Sequence, residues 1–583
     1  MTGRYEAASV ADSIRFSTSS NFLTELREHY NLLSETIMGN IIGFGGSIHD
    51  FATCLIKEDR NILAVEDERL TRIRYAVNSP NPCDPSLRYC LKWSGLDIED
   101  ISSFWGNDML DPASLPAVSS RVTLLNHHLS HAYSTFFTSP FEDAAILVTD
   151  GAGSLIYPET ASQLRETTSY AWGRGNEIGM IGRVVGDSSG ISYSPDFPPV
   201  MCNSLGDFYR AITEVIGFGF LHAGKAMGLA PYGDDSFVSQ VMNFVTLLPE
   251  GQFEIAIGGD DGLMNTLARL RRRCSETAAP FGVDAAIAYA GQAALEEVFL
   301  HALRWLWKMM PVPRLCLAGG VALNSVMAGK IPRLTNFKDV HVFFAPGDSG
   351  TAVGAAIYGY LDEHTSAGEP IRFHSGPYWG RPIAHGEMRD ALERRGIVYT
   401  RPSDLSTRIA VALNSGAVVG WYQGRSEFGP RALGDRSILA DPRSADIRDR
   451  VNRDIKNREW FRPLAPAVMA SEARHYFDLL CPSQCMQFVW PVREEFRTLL
   501  QGVTHVDGGA RVQTINQAQN EPFYGLLEAC REVSGVPVLL NTSLNIRGTP
   551  IVETPDEAIE AFLRSELDAL VLGDFFVAKR RSG

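Results

Sequence analysis

The sequence predicts an α/β protein of two domains, the first built from duplicated halves. Three observations predict this. At 583 residues the chain is too long for one ordinary hydrophobic core and long enough for two or three. Strands that end on glycine turns and lead into helices recur, at 144–149 before Asp150-Gly151, at 314–318 before Gly319-Gly320 and at 341–345 before Gly347-Asp348. Composition then shifts after a stretch holding Pro370, Gly376, Pro377 and Gly380, which reads as a linker. The expected units are an extension at 1–38, a first domain at 39–365, a linker at 366–400 and a second domain at 401–583.

Composition narrows the class. Hydrophobic residues at 45% and charged residues at 21% fit a water-soluble globular chain. A formal charge of −15 argues against a broad nucleic-acid surface but leaves room for a local basic pocket. The nine cysteines are odd in number and include no CxxC, so neither a disulfide framework nor a zinc finger is expected, and a reducing cytoplasm is the expected location. No run reaches the roughly 20 apolar residues of a membrane helix. Arg4, Glu6, Asp12 and Arg15 interrupt the N-terminus, which has no signal-peptide core.

Within 1–38, Phe22, Leu23, Leu26, Tyr30 and Leu33 fall at helical spacing, and no chemistry is assigned there. The first domain opens with an apolar strand running into Gly43, Gly45 and Gly46. The turn Ser47-Ile48-His49-Asp50 and strands at 52–56 and 61–65 follow. This is a meander with a polar first turn, and actin-like ATPase domains begin this way, with that turn facing phosphate. The charged run Glu66–Arg72 reads equally as the solvated start of a helix or as a substrate rim. A helix is expected at 84–93, a strand at 121–125 and a helix at 127–137.

In that last helix His127 and His131 are four residues apart, on one face, where two nitrogens can meet one cation. HxxxH alone is a weak signal. Asp150 lies at the carboxyl end of its strand, where ligands gather in α/β sheets. Gly151 and Gly153 would let backbone N–H groups approach an anion. The stretch 160–190 reads as irregular. From Gly219 to Lys225 the chain nearly matches a P-loop, but Ala226 replaces the hydroxyl residue that would hold magnesium. A Walker site is therefore rejected, and Lys225 is kept as a point charge for phosphate. A long helix is expected at 285–307. Gly319, Gly320 and Asn324 then join a strand to a helix N-terminus, which suits a nucleotide. Asp348 sits on a glycine turn as Asp150 does, and the pair suggests the duplicated halves of an actin-like domain with a cleft between them.

The second domain gathers arginines among glycines and aromatics, in Gln423–Leu439, Lys456–Pro463 and Thr504–Arg511, and closes on Val538–Ser543. In an acidic chain this pattern points to a carboxylate or phosphate ligand, whose geometry matches the guanidinium fork.

Taken together these motifs resemble the O-carbamoyltransferase family of antibiotic and nodulation-factor biosynthesis. The resemblance spans about residues 40–580 and rests on HHxxHA, GKAMGLAPYG, GGVALNS, the Asp348 turn, GRSEFGPRALGDRSILADPR, FRPLAP, THVDGGARVQ and LLNTSLN, in that order. It implies a Kae1-like, actin-like duplicated first domain and a YrdC-like α/β second domain. It implies iron held by His127, His131, Asp150 and Asp348, and by ligand type Zn²⁺ or Mn²⁺ would also fit. It implies carbamoyl phosphate at Arg431, Lys456, Arg462, Arg511, Asn541 and Ser543, and a nucleotide along Gly151, Gly153, Lys225, Gly319, Gly320 and Asn324. ATP, with Mg²⁺, and carbamoyl phosphate would give carbamoyladenylate, which passes internally to the first domain. There a hydroxyl of a small natural product attacks the carbamoyl carbon and AMP leaves.

His49 matches the family's first-turn histidine and is the candidate general base, the alternative being that it only hydrogen-bonds phosphate. Some members carry aspartate where this chain has Ser47, so a carboxylate partner for His49 would have to come from elsewhere, with Asp50 one candidate. Expected partners are the small hydroxylated acceptor and, left open, a second copy in a homodimer, with neither nucleic acid nor membrane. A hydrogenase-maturation carbamoyltransferase would add acylphosphatase and zinc-finger modules, and this chain has no CxxC. The competing class is a non-catalytic nucleotide-binding homologue that scaffolds a biosynthetic complex.

Overall fold

A computed structural model describes residues 39–579 apart from 78, 116–117, 158–162, 192–198, 276–279, 365–369 and 374–375. The helix expected within 1–38 lies outside the described residues. Two five-stranded sheets build the first domain. Strands β1 (Asn40–Gly45), β2 (Ala52–Ile56), β3 (Ile62–Glu66), β4 (Ile101–Asn107) and β5 (Val122–Leu125) are ordered β3-β2-β1-β4-β5. Strands β6 (Asp143–Thr149), β7 (Arg165–Arg174) and β8 (Glu177–Gly186) precede a small hairpin, β9 (Val245–Leu247) and β10 (Phe253–Ile255). Strands β11 (Arg314–Ala318) and β12 (Asp339–Val342) complete a second sheet ordered β12-β11-β6-β7-β8. Each sheet joins an antiparallel meander to two parallel strands, so the two repeat one topology.

Five helices matter for the site: α1 (Asp67–Thr71), α2 (His127–Phe137), α3 (Ser325–Leu334), α4 (Thr351–Glu363) and α5 (His385–Arg394). Helices α2 and α4 pack together between the two sheets. Small residues allow the approach. A Cβ at Gly354 of α4 would lie 1.7 Å from the Ser130 carbonyl oxygen of α2, and one at Gly43 of β1 would lie 2.1 Å from the Ala352 carbonyl oxygen. The apolar strands β1 to β3 are buried along their whole length, as strands covered on both faces must be.

The second domain holds a seven-stranded mixed sheet ordered β18-β15-β19-β14-β13-β20-β21. Its strands are β13 (Val419–Tyr422), β14 (Arg436–Ala440), β15 (Ala465–Met469), β18 (Gln513–Ile515), β19 (Val538–Ser543), β20 (Ala569–Leu572) and β21 (Phe575–Ala578), and β16 (Val489–Pro491) pairs with β17 (Gly509–Arg511) beside it. No helix among the described residues is long and apolar enough to cross a membrane.

Three expectations change. The stretch 160–190 holds β7 and β8, missed because β7 buries Thr167, Thr168 and Ser169 rather than alternating apolar residues. Of the expected linker at 366–400, the described residues between 376 and 400 are held by both domains. Trp379 is buried, the Arg381 N–H donates to the Tyr89 hydroxyl at 2.7 Å, α5 contacts the helix Pro555–Arg564, and Thr400 pairs with Phe576. Finally, Asp150 and Asp348 are not equivalent points of the repeat. Asp150 follows β6, the counterpart of β1, whereas Asp348 follows β12, the counterpart of β5, and both lie on the second sheet.

Candidate active site

Helix α2 begins where β5 ends. Asn126 caps it, its side-chain oxygen accepting from the Leu129 N–H at 2.8 Å. One turn apart on the capped helix, His127 and His131 are fully buried with ring centroids 4.8 Å apart. They face Asp150 from the end of β6 and Asp348 from the turn after β12. His131 Nε2 lies 3.1 Å and His127 Nε2 3.6 Å from Asp150 Oδ2, and His127 Nε2 lies 3.8 Å from Asp348 Oδ1. One ligand atom from each of the four residues falls within 4.8 Å of the others. His127 Nδ1 is 3.1 Å from Asn107 Oδ1, an amide oxygen that can only accept, so Nδ1 carries a proton and Nε2 is the nitrogen turned toward Asp150 and Asp348. His127 Nε2 is buried with no partner closer than the Asp150 carboxylate at 3.6 Å. Two imidazoles and two carboxylates arranged this way can hold a divalent cation. Burial opposes charge on His127, but the hydrogen bond to Asp150 and the charge of Asp348 outweigh it, and its pKa rises to about 8. Burial likewise opposes charge on Asp150, yet the two histidines hold it well below the usual carboxylate range.

The turn after β1 faces the same space. Ser47 Oγ donates to Asp348 Oδ2 at 2.5 Å, and His49 Nδ1 lies 3.0 Å from Asp50 Oδ2. Asp50 thus supplies the carboxylate partner that the absence of an aspartate at 47 left open. Burial alone would lower the His49 pKa, but the Asp50 charge and hydrogen bond, with Asp348 behind them, raise it.

Across the cavity lie the cations of the second domain. Arg431, Lys456, Arg458, Arg462 and Arg511 all line it. Withdrawal from water and mutual repulsion depress them together. Burial and then Arg462 bring Arg431 to about 10, and burial and then Arg462 bring Arg458 to about 9. Burial followed by neighbouring arginines holds Lys456 and Arg511 well below their ordinary values. Lys456 Nζ donates to the Ser543 carbonyl at 2.6 Å and to the Ser543 hydroxyl at 3.2 Å. Asn541 Nδ2 donates to Gln513 Oε1 at 2.7 Å. Glu459 turns to Lys225, at 2.8 Å, and to Arg462, at 3.6 Å, so it neutralises only one edge of the cluster.

One cavity of about 600 Å³ joins the two groups. His49, Asp150, Gly151, Lys225, Gly320, Asn324 and Asp348 line it from the first domain, and Arg431, Lys456, Arg462, Arg511, Asn541 and Ser543 from the second. His127 and His131 sit behind Asp150 rather than on the wall. Two glycine expectations fail. The Gly153 N–H donates to the Glu166 carbonyl at 2.8 Å, and a Cβ there would strike the His128 ring, so it faces packing rather than an anion. Gly319, at φ +87°, serves a close approach, since its Cβ would lie 2.2 Å from the Thr149 carbonyl oxygen. Asn324 lines the cavity, but its side chain caps α3 through the Met327 N–H at 3.0 Å and pairs with Gln292. The Gly151 N–H donates to Asp150 Oδ1 at 2.7 Å. Sequence reasoning passed over Arg458, which stands in the same run as Lys456 and Arg462 and was legible there. It also passed over Arg74, Tyr75 and Arg210, which line the cavity with no motif around them.

Comparison with known proteins adds the family. Residues 116–357 match the carbamoyltransferase N-terminus model, and residues 410–579 match the carbamoyltransferase C-terminus model. The chain is 36% identical over 576 residues to nodulation protein NolNO of Sinorhizobium fredii, covering 91% of this chain and 79% of that one. It is 34% identical over 260 residues to the 3'-hydroxymethylcephem-O-carbamoyltransferase of Streptomyces clavuligerus, covering 45% and 48%. Among solved structures, full-length HypF in its phosphate- and nucleotide-bound form matches 56% of each chain at 13% identity, with a TM-score of 0.39 that is too low to carry an argument. With both family segments in order around one cavity, the chain belongs to the O-carbamoyltransferase family and is a carbamoyltransferase.

Proposed function

We propose that the protein transfers the carbamoyl group of carbamoyl phosphate, through carbamoyladenylate made with ATP, to a hydroxyl of a small natural product. The cavity that joins a four-ligand cluster to a cation cluster with a carboxylate at only one edge carries this reading. The relatives named for nodulation and for a hydroxymethylcephem support a small hydroxylated acceptor. The repeated sheet topology supports a Kae1-like first domain, and the mixed sheet beside the cations supports a YrdC-like second one.

In the second domain Arg431, Lys456, Arg458, Arg462 and Arg511 hold the phosphate dianion and offset charge as the carbamoyl C–O bond breaks. Water replaces phosphate to give carbamate, and a carbamate oxygen attacks the α-phosphorus of ATP, expelling pyrophosphate. The adenylate then crosses the cavity to the first domain. His127, His131, Asp150 and Asp348 would hold a divalent ion, iron first and zinc or manganese by the same donor set, which supplies positive charge against the adenylate phosphate. Asp50 fixes the Nδ1–H of His49, leaving Nε2 to take the proton of the acceptor hydroxyl. The hydroxyl oxygen forms the new C–O bond, and AMP leaves with the electrons of the old one. Incubation with ATP, carbamoyl phosphate and a panel of hydroxylated metabolites should release AMP and add a carbamoyl mass to one acceptor. Absence of carbamoyl-phosphate-dependent AMP release would contradict the reading and favour a nucleotide-binding scaffold.

A further inference from the structure

The charged run 66–72 is not a solvated helix start: Glu68 lines the cavity, and three of its neighbours are buried. Glu66, Asp67 and Arg69 are 6%, 0% and 1% exposed. Three hydrogen bonds explain why Asp67 is buried. Its carboxylate accepts from the N–H groups of Cys83, at 2.7 Å, and Ser86, at 3.2 Å, and its own N–H donates to the Phe51 carbonyl at 2.8 Å, so it ties α1 into the first domain. Glu66 and Arg69 point the other way, into the second domain. The Gly429 N–H donates to Glu66 Oε1, and Arg69 Nη2 donates to the Gly429 carbonyl at 2.7 Å. Both backbone groups of one residue are therefore held by a buried charged pair from the other domain. Arg69 Nε lies 3.8 Å from each of Glu66 and Glu68, which balances the buried guanidinium.

Gly429 itself cannot be another residue. Its φ is +107°, and a Cβ there would lie 2.9 Å from the Phe344 carbonyl oxygen of the first domain. Pro430 follows with its φ fixed by the ring, and Arg431 comes next, on the cavity wall. A shift of Gly429 therefore passes through a stiff residue directly to that guanidinium. On the same helix end, Arg72 donates to the carbonyls of Ile551 and Pro550, each at 2.8 Å, on the 547–551 wall of the cavity.

We infer that, given the anion site in the second domain, Glu66 and Arg69 are positioning residues for it: gripping Gly429 from both sides, they fix Arg431 against the phosphate of the carbamoyl donor. The transfer domain thereby helps to build the site that feeds it.

A double-mutant cycle on the full chain tests this, with inorganic phosphate titrated calorimetrically as the probe. Arg69→Met should weaken phosphate binding roughly tenfold, the scale on which small misplacements act. Arg431→Ala should weaken it at least as much, and the double variant should bind no worse than Arg431→Ala alone, because Arg69 acts through Arg431. Additive losses would mean that Arg69 contributes only its distant charge, which overturns the inference. Unchanged binding in Arg69→Met beside weakened binding in Arg431→Ala would sink the positioning role alone, whereas unchanged binding in Arg431→Ala would sink the anion-site reading beneath it. Arg69→Lys guards against misfolding. It keeps the buried charge but replaces the fork with a single point, so it cannot hold Glu66 and the Gly429 carbonyl in the same geometry. It should bind phosphate about threefold more weakly, by the same positional argument, and full affinity in a folded Arg69→Lys protein would also overturn the role.

Discussion

In the first domain His127, His131, Asp150 and Asp348 face one another with charge of both signs, whereas in the second Arg431, Lys456, Arg458, Arg462 and Arg511 face one another with charge of one sign. The difference shows in their protonation. The imidazole of His127 rises and the carboxylate of Asp150 falls, because each stabilises the other's charge once burial has been overcome. The guanidinium and ammonium groups all fall, because burial opposes every one of them and cationic neighbours add to it, with Glu459 relieving only Arg458 and Arg462. The first set holds itself together through shared protons, whose place a divalent cation would take. The second set is relieved by a bound dianion, whose charge would reverse the repulsion. One cavity thus brings a cation-seeking and an anion-seeking surface together, as a reaction that moves a group between phosphates and a hydroxyl requires.

Removing a ligand from the mixed-sign cluster should have the largest effect. His131→Ala is expected to lower metal affinity by at least about a hundredfold, since ligand loss exceeds the 10–100-fold typical of supporting partners. Elemental analysis of the purified variant checks this, and retained metal would remove His131 from the set. Asn107→Ala should do less, within that supporting range, because it frees the His127 tautomer without removing a donor. Unchanged metal affinity there would mean that Asn107 does not orient the ring.

The first-turn base sharpens the comparison through pH. His49 must be neutral to accept a proton, and Asp50 raises its pKa, so transfer is expected to fall as pH drops through that raised value. Asp50→Asn removes the raising charge and should move the acidic limb of the rate profile to lower pH. An unmoved limb would exclude His49 as the titrating base. The smallest effect belongs to the edge where the two clusters meet. Glu459→Gln breaks the half-exposed pair with Lys225 and should cost about 0.5 kcal/mol of stability, as partly screened pairs do. A loss of several kcal/mol in thermal unfolding would show that this pair bears more of the domain interface than its exposure implies.

How much of this was legible in the sequence depended on how local each signal was. Helical spacing alone set the histidine pair on one face and a strand end drew attention to Asp150, but Asp348 joined them as a ligand only through the family resemblance. The relation between the two aspartates was misread, since two similar turns do not reveal that one follows the counterpart of β1 and the other the counterpart of β5. Gly153 and Gly319 pack closely against the His128 ring and the Thr149 carbonyl, a use of glycine that no local pattern separates from an anion turn. Strand β7 was invisible to hydrophobic alternation because serine and threonine fill buried positions there, and β8 because only Val184 and Gly186 of its residues are buried. Glu66 and Arg69 were ambiguous for a different reason. Their meaning lies in Gly429, far along the chain, and no local pattern encodes a contact between domains.

The division of labour between the two clusters is tested most directly by supplying synthetic carbamoyladenylate to Arg511→Ala. The account predicts that release of AMP dependent on carbamoyl phosphate and ATP stops, while release of AMP from the supplied adenylate in the presence of an acceptor continues near the unaltered rate. Loss of both activities, or retention of both, would contradict it.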